Sequence, residues 1–326
     1  MPNDEDTSLD NKLGNYLKTK YNKPDIDFSE PLIRFRYGQT TFTYRFQLVN
    51  APPELSKPLV LRLFRDTKQG SSTGYATKEG TLQNILYKNN YPSPRAHIMC
   101  EDMKQLGGEF MVMDFMRGES MWESVPINKI PELLAEAQVK LHKIDPASII
   151  EGLKSSSIPR EWYDGTVYID TWITSNNMSW LKPGLKWVYD NEPSERSSAV
   201  VHCDFHPNNI LVDDGEISAV LDWTSGRIGE PEKDVASTRN VLRAFRPFFR
   251  PDVDWVSFTD DYLASYLRRS RVDLERVDMG KVEFYEALHS LRVLELVEAG
   301  FTRDLPGVRD RLLVRFREVT GLSLSK

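Results

Sequence analysis

One stretch restricts the possible folds more than any other. Residues 200–222 read Val-Val-His-Cys-Asp-Phe-His-Pro-Asn-Asn-Ile-Leu-Val-Asp-Asp-Gly-Glu-Ile-Ser-Ala-Val-Leu-Asp, with Trp223 next. Short apolar runs at about 199–203, 209–213 and 217–222 have the length of strands, and Asp213-Asp214-Gly215 is the kind of turn that joins strands into a hairpin. Between the first two runs lies a polar loop with His202, Asp204, His206 and Asn209, and a further acid, Asp222, closes the hairpin. The pattern predicts a small sheet with carboxylates and an amide at one end.

This island sits in a helical half of the chain. Apolar residues at helical spacing predict helices over 128–143, 175–190, 231–245, 254–269, 281–299 and 306–319. The first part differs. Leu9, Leu13, Tyr16 and Leu17 form a helical stripe over 9–20, followed by strands at 32–36, 41–50 and 59–65. A helix at 75–88 and strands at 95–101 and 109–115 complete it. The expected fold class is α+β: an N-terminal antiparallel sheet with one helix, then a larger, mostly helical lobe. The expected division is a disordered 1–8, an N-terminal lobe 9–116 and a C-terminal lobe 117–326.

Composition narrows the function. The 326 residues carry 42 basic and 48 acidic side chains, a net charge of −6. A mildly acidic chain lacks the basic face that nucleic acid requires, so no nucleic-acid partner is expected. The two cysteines and five histidines show no metal-ligand spacing. The acidic N-terminus has no signal-peptide pattern and no apolar run spans a bilayer, so no membrane association and a cytoplasmic location are expected.

The order His-x-Asp-x-His-Pro-x-Asn, then Leu221-Asp222-Trp223, then Gly229-Glu230-Pro231-Glu232-Lys233-Asp234, resembles the aminoglycoside phosphotransferase and choline kinase-like family. Leu141-His142-Lys143-Ile144-Asp145 is similar to that family's Leu-His-x-Ile-Asp helix end. It also resembles the catalytic loop of protein kinases, with His206 in place of the usual lysine, Trp223 in place of Phe-Gly, and no Ala-Pro-Glu. The resemblance implies a two-lobed protein kinase-like fold and an ATP- or GTP-dependent phosphotransferase with a small-molecule hydroxyl acceptor. It implies Asp204 as the catalytic base and Asn209 and Asp222 as ligands of Mg2+, whose few protein ligands are oxygens. His202 reads as a loop-packing residue, His206 as either loop scaffold or a contact to phosphate or substrate. Asp234, in the first turn of a helix that Pro231 opens, reads as a scaffold that bonds the loop backbone, or as the cap of its own helix.

No Gly-x-x-x-x-Gly-Lys-Ser/Thr occurs, so a P-loop is not expected. The resemblance gives the nucleotide side as a strand-turn-strand lid with Gly38, Thr40 and Thr41, poorer in glycine than its relatives, and Arg62 where kinases carry lysine. Alternation places Arg62 and Arg65 on opposite faces. Glu79 would pair with Arg62, or be a solvated helix carboxylate beside Lys78 and Lys88. The Asp114 carbonyl and Met116 amide would meet a purine edge, with Met113 behind the base. The glycine-poor lid and Arg62 also admit a non-catalytic, pseudokinase-type nucleotide-binding module.

The acceptor is not legible. Trp162, Tyr163, Tyr168, Trp172 and Trp180, with Glu161 and Asp164, suit a cationic amine. Arg239, Arg243, Arg246 and Arg250 suit an anionic acceptor, or surface ion pairs.

Overall fold

The computed structural model describes residues 4–35, 41–64, 74–163, 178–194, 197–273, 277–300 and 305–326. These form two compact units. The first comprises Met1–Gly118, Gly152–Ile158 and Glu216–Thr224; the second Glu119–Glu151, Pro159–Gly215 and Ser225–Lys326.

The first unit opens with α1 (Asp4–Tyr21), which starts earlier than the helix expected from residue 9. Strands β1 (Asp27–Arg34), β2 (Thr41–Val49) and β3 (Leu59–Phe64) follow, then α2 (Tyr75–Lys88), β4 (Ala96–Cys100), a one-turn helix α3 (Met103–Leu106) and β5 (Glu109–Asp114). The five strands make one antiparallel sheet in the order β1-β2-β3-β5-β4.

β3 is buried along its whole length, and its alternation sorts two cores. Leu59, Leu61 and Leu63 join Leu9, Leu13 and Leu17 of α1, with Phe46, Phe110 and Val112. Val60 and Phe64 join Ala76 of α2, with Met111 and Met113. Arg62 has the parity of Val60 and Phe64, so it shares the sheet face that α2 covers. Gly80 permits a close approach of α2 to the sheet, since a Cβ there would lie 2.5 Å from the Met99 sulfur and 3.1 Å from Ala96 Cβ.

The second unit contains β6 (Glu119–Ser120), α4 (Met121–Ser124), α5 (Ile130–His142), most of α6 (Pro146–Ser155), α7 (Lys182–Asp190), β7 (Ala199–Val201) and β8 (Ile210–Asp213). Strand β9 (Glu216–Val220) returns the chain to the first unit, and β10 (Arg227–Gly229) leads into α8 (Pro231–Phe249), α9 (Trp255–Asp273), α10 (Met279–Glu298) and α11 (Val308–Thr320). Asp214 and Gly215 take φ of 49° and 83°, the left-handed pair that the Asp-Asp-Gly turn suggests.

α5 packs on α9, α8 on α10, and α10 on α11. β7 pairs antiparallel with β10, and β6 with β8. Among the described residues no helix is long and apolar enough to cross a membrane.

Candidate functional site

The polar loop after β7 is shaped by α8. Pro231 opens this helix, and Asp234, fully buried in its first turn, points back at the loop. Its Oδ1 accepts the Cys203 N–H at 2.7 Å and its Oδ2 the His202 N–H at 3.1 Å. Its own helix end is thus not the partner of this carboxylate. His142, at the end of α5, braces Asp234 from behind, with Nε2 3.1 Å from Asp234 Oδ2 and Nδ1 2.6 Å from the Tyr266 hydroxyl. Burial alone would raise the Asp234 carboxyl, but the His142 and backbone bonds hold it below the ordinary carboxylate value. Further along α8, Thr238 donates its hydroxyl to the Phe205 carbonyl at 2.9 Å.

Within this clamp the loop takes an unusual path. Cys203 has a φ of 63°, rare outside glycine, which the Asp234 bonds to the His202 and Cys203 N–H groups before it and the His202 Nδ1 bond to the Asp204 N–H after it help to hold. His202 is fully buried, accepts the Asp204 N–H through Nδ1 at 3.2 Å and stands edge-on to Phe205. It packs the loop.

Asp204 emerges from this frame with a side chain 42% exposed. The Asn209 amide nitrogen donates to Asp204 Oδ2 at 3.2 Å and to the Asp204 carbonyl at 3.0 Å, and His206 Nε2 is 3.4 Å from Asp204 Oδ1. Burial of part of the carboxylate works to raise its pKa; His206, His202 and Asn209 outweigh it and leave the group well below the ordinary range. Asn209 holds its position through the turn Pro207–Asn209, where its N–H donates to the His206 carbonyl at 2.9 Å. With its amide nitrogen turned to the loop, Asn209 keeps its side-chain oxygen clear of any hydrogen bond among the described residues.

The first unit holds a second cluster. Arg62, 6% exposed, places Nη1 3.0 Å from Glu79 Oε1 and Nη2 2.6 Å from Asp222 Oδ1. Glu79 is fully buried and also accepts the Trp223 N–H at 3.1 Å and the Thr224 hydroxyl at 2.8 Å. It is therefore an interior anchor of α2, which excludes the solvated-carboxylate alternative. Burial pushes its pKa up, against the opposing pull of Arg62. Lys78 is likewise interior, at 5% exposure, with Nζ on the Thr224 carbonyl at 3.0 Å. Helix-surface reasoning misplaced it because its amine reaches a carbonyl 146 residues away.

Asp222 has a φ of 64°, left-handed like Cys203, and its side chain is 40% exposed. Trp223 is sealed behind it, with Nε1 on the Val220 carbonyl and its ring edge-on to Tyr91.

The remaining expected nucleotide contacts fall as follows. Thr41 begins β2, opposite Phe64. Asp114 ends β5 with its carboxylate on His97 and Lys57, and the Met116 amide makes no hydrogen bond among the described residues. Met113 is buried in the α2-facing core. Gly38, Thr40, Arg65, Asp164, Tyr168 and Trp172 lie outside the described residues. Sequence reasoning gave no role to Thr224, Thr238 or Tyr266, and named His142 only as part of a motif. His142 meets Asp234 across 92 residues and Thr224 meets Glu79 across 145, separations beyond any local pattern.

The chain belongs to the phosphotransferase enzyme family, which it matches over residues 33–279. Among solved structures it is similar to a Ralstonia eutropha JMP134 protein assigned as an aminoglycoside phosphotransferase (TM-score 0.61, 18% identity, 95% of each chain). A complex of aminoglycoside phosphotransferase APH(4)-Ia with ADP and hygromycin B gives a TM-score of 0.54 at 16% identity, covering 95% of this chain and 98% of that one. Plasmodium vivax ethanolamine kinase gives 0.58 at 14% identity, covering 93% and 86%. These likenesses establish the protein kinase-like α+β fold. Curated relatives include mouse acyl-CoA dehydrogenase family member 10, 24% identical over 85% of this chain, and chicken acyl-CoA dehydrogenase family member 11, 27% identical over 71%. The matched segments span 27% and 32% of those two proteins.

Proposed function

We propose that the protein transfers the γ-phosphoryl group of a nucleoside triphosphate, ATP or GTP, to the hydroxyl of a small molecule. The observation that carries this reading is the state of Asp204: an ionised, solvent-reached carboxylate on a loop fixed from behind by Asp234. Such a group can orient an alcohol O–H toward phosphorus. Because its pKa is depressed, it remains an acceptor throughout the neutral range and takes the proton as the new bond forms. The alcohol oxygen supplies the electron pair of the new O–P bond. The bond between the γ-phosphorus and the β–γ bridging oxygen breaks, its electrons leaving with the nucleoside diphosphate.

Magnesium, when bound, would neutralise charge on the phosphates, and the side-chain oxygens of Asn209 and Asp222 are the hard donors we assign to it. Arg62 carries a guanidinium suited to phosphate, with Nη1 held by Glu79, and a phosphate would take its Nη2 from Asp222. The nucleotide in the complex of APH(4)-Ia supports the same co-substrate class here.

The 2.6 Å pair between Arg62 and Asp222 favours a second reading, a nucleotide-binding module without turnover, because it engages the proposed metal ligand. One experiment separates the two. Nucleoside diphosphate release is followed with magnesium and a broad panel of alcohols, with Asp204→Asn and EDTA as controls. Acceptor-dependent release, lost with EDTA and lowered about 10²–10⁴-fold in Asp204→Asn, supports transfer. Nucleotide binding without release on any acceptor favours the second reading, and full activity of Asp204→Asn removes Asp204 as the base.

A further inference from the structure

Four arginines follow one another along α8 and its end, and the structure separates them. Arg239 pairs with Glu286 at 2.7 Å, Arg243 with Asp260 at 2.6 Å, and Arg250 with Asp252 at 2.8 Å. Arg246 is different. It is 8% exposed, yet among the described residues its guanidinium has no carboxylate in contact and no hydrogen-bond partner, and its Nε is buried unpaired. Two aromatic rings flank it, Trp122 at 5.5 Å and Phe249 at 5.9 Å. A buried cation with no carboxylate in contact is costly, and ring faces compensate only part of that cost.

The position of this cation is informative. Trp122 lies on α4, which packs against the Pro207–Asn209 turn, and stacks on Trp255 at 5.5 Å. Arg246 lies on α8, the helix that clamps the Asp204 loop through Asp234 and Thr238. Both flank the loop that carries the proposed base. The carboxylate whose charge reaches Arg246 is that of Asp204 itself. On the α10 side of the same loop, a cavity of about 260 Å³ opens beside Cys203, with Arg227, Lys233 and Arg292 among its lining residues and no aspartate or glutamate. Arg292 is held by Glu295, and the Arg227 Nε by the Ser225 carbonyl. Cationic side chains thus lie on both the α8 and the α10 sides of the loop, and an amine acceptor at Arg246 would meet a like charge.

We propose that the acceptor is a hydroxylated anion, an alcohol that also bears a carboxylate or phosphate, with Arg246 pairing its anionic group and Trp122 and Phe249 lining its carbon frame. The inference rests on the phosphotransferase reading above and names its substrate class. Arg246 is then a specificity-determining residue: it completes its own ion pair only when the acceptor is bound.

The test is a matched panel on the full-length protein with magnesium and ATP or GTP. It contains aliphatic hydroxy acids of graded length, their primary amides, phosphomonoesters of diols, and amino alcohols. The expected result is a preference in kcat/KM of about tenfold or more for one anionic series over the neutral amides, the scale of one charge-assisted hydrogen bond. The better of the carboxylate and phosphate arms identifies the anion. Arg246→Met should erase the preference through KM, and Arg246→Lys should keep part of it. Equal use of acids and amides, or better use of amines, by the unaltered protein overturns the proposal whether or not a variant folds. An equal fall in kcat for all acceptors in Arg246→Met also overturns it, because that marks Arg246 as a support for Asp204 alone. Transfer to no member of the panel, amines included, overturns the underlying phosphotransferase reading instead.

Discussion

His142 and Asp234, 92 residues apart, face each other across 3.1 Å with no solvent on either side chain. The pair joins the end of α5 to the start of α8, and through the two backbone bonds of Asp234 it sets the path of His202 and Cys203. The candidate base is therefore positioned by a contact between two helices as well as by its own loop.

Asp234→Ala should disturb this arrangement at two levels. It leaves two backbone donors without acceptors and His142 without its partner. Each buried group so stranded costs about 1–3 kcal/mol. With rehydration of the partly exposed loop offsetting some of that sum, a drop in unfolding free energy of roughly 3–5 kcal/mol is expected by chemical denaturation, together with faster amide exchange at Cys203. Exchange unchanged at that amide would show that the loop holds its path without Asp234.

Arg62 bridges Glu79 and Asp222 through separate nitrogens, and its removal strands a fully buried carboxylate. Arg62→Ala should destabilise the fold by about 3–5 kcal/mol. Arg62→Lys should recover a part, since one ammonium cannot span both acids in the same geometry. Urea denaturation midpoints of the two variants check this. A loss below about 1 kcal/mol for the alanine variant would show the ion pair to be no better than a surface one.

His289, on α10, predicts a pH effect. Burial depresses its pKa from the ordinary 6.5 to about 4, with Lys233 acting in the same direction and Asp204 against it. The unfolded chain protonates this group first as pH falls. Stability is thus fully present above about 6.5 and declines as pH drops toward 4. Replacing His289 with Gln should flatten the fall in unfolding free energy over that window by on the order of 2 kcal/mol. Parallel pH profiles for the two proteins would contradict this.

The parts of the fold legible beforehand were those whose burial is periodic. β3 declared itself because an unbroken apolar run suits a strand covered on both faces, and α8 because Pro231 marks its first turn. The one-turn α3 and the two- and three-residue strands β6 and β10 were not legible, since segments that short carry no period. In the site, motif order and strand parity led to Arg62, and the structure gives it Glu79 as a partner. Lys78 misled because neighbouring charges on a helix ordinarily share a wet face, and here the chain folds a distant carbonyl over it. Of the four α8-region arginines, only tertiary packing distinguishes Arg246 from the others, through the lack of a close carboxylate among the described residues.

Cys203 keeps a left-handed backbone without being glycine because Asp234 grips the two peptide groups before it and His202 Nδ1 takes the N–H of the one after. A bend imposed from a neighbouring helix makes few demands on the letters it bends. Change should therefore be easier to accommodate at Cys203 than at Asp234 or His202, which hold the bend.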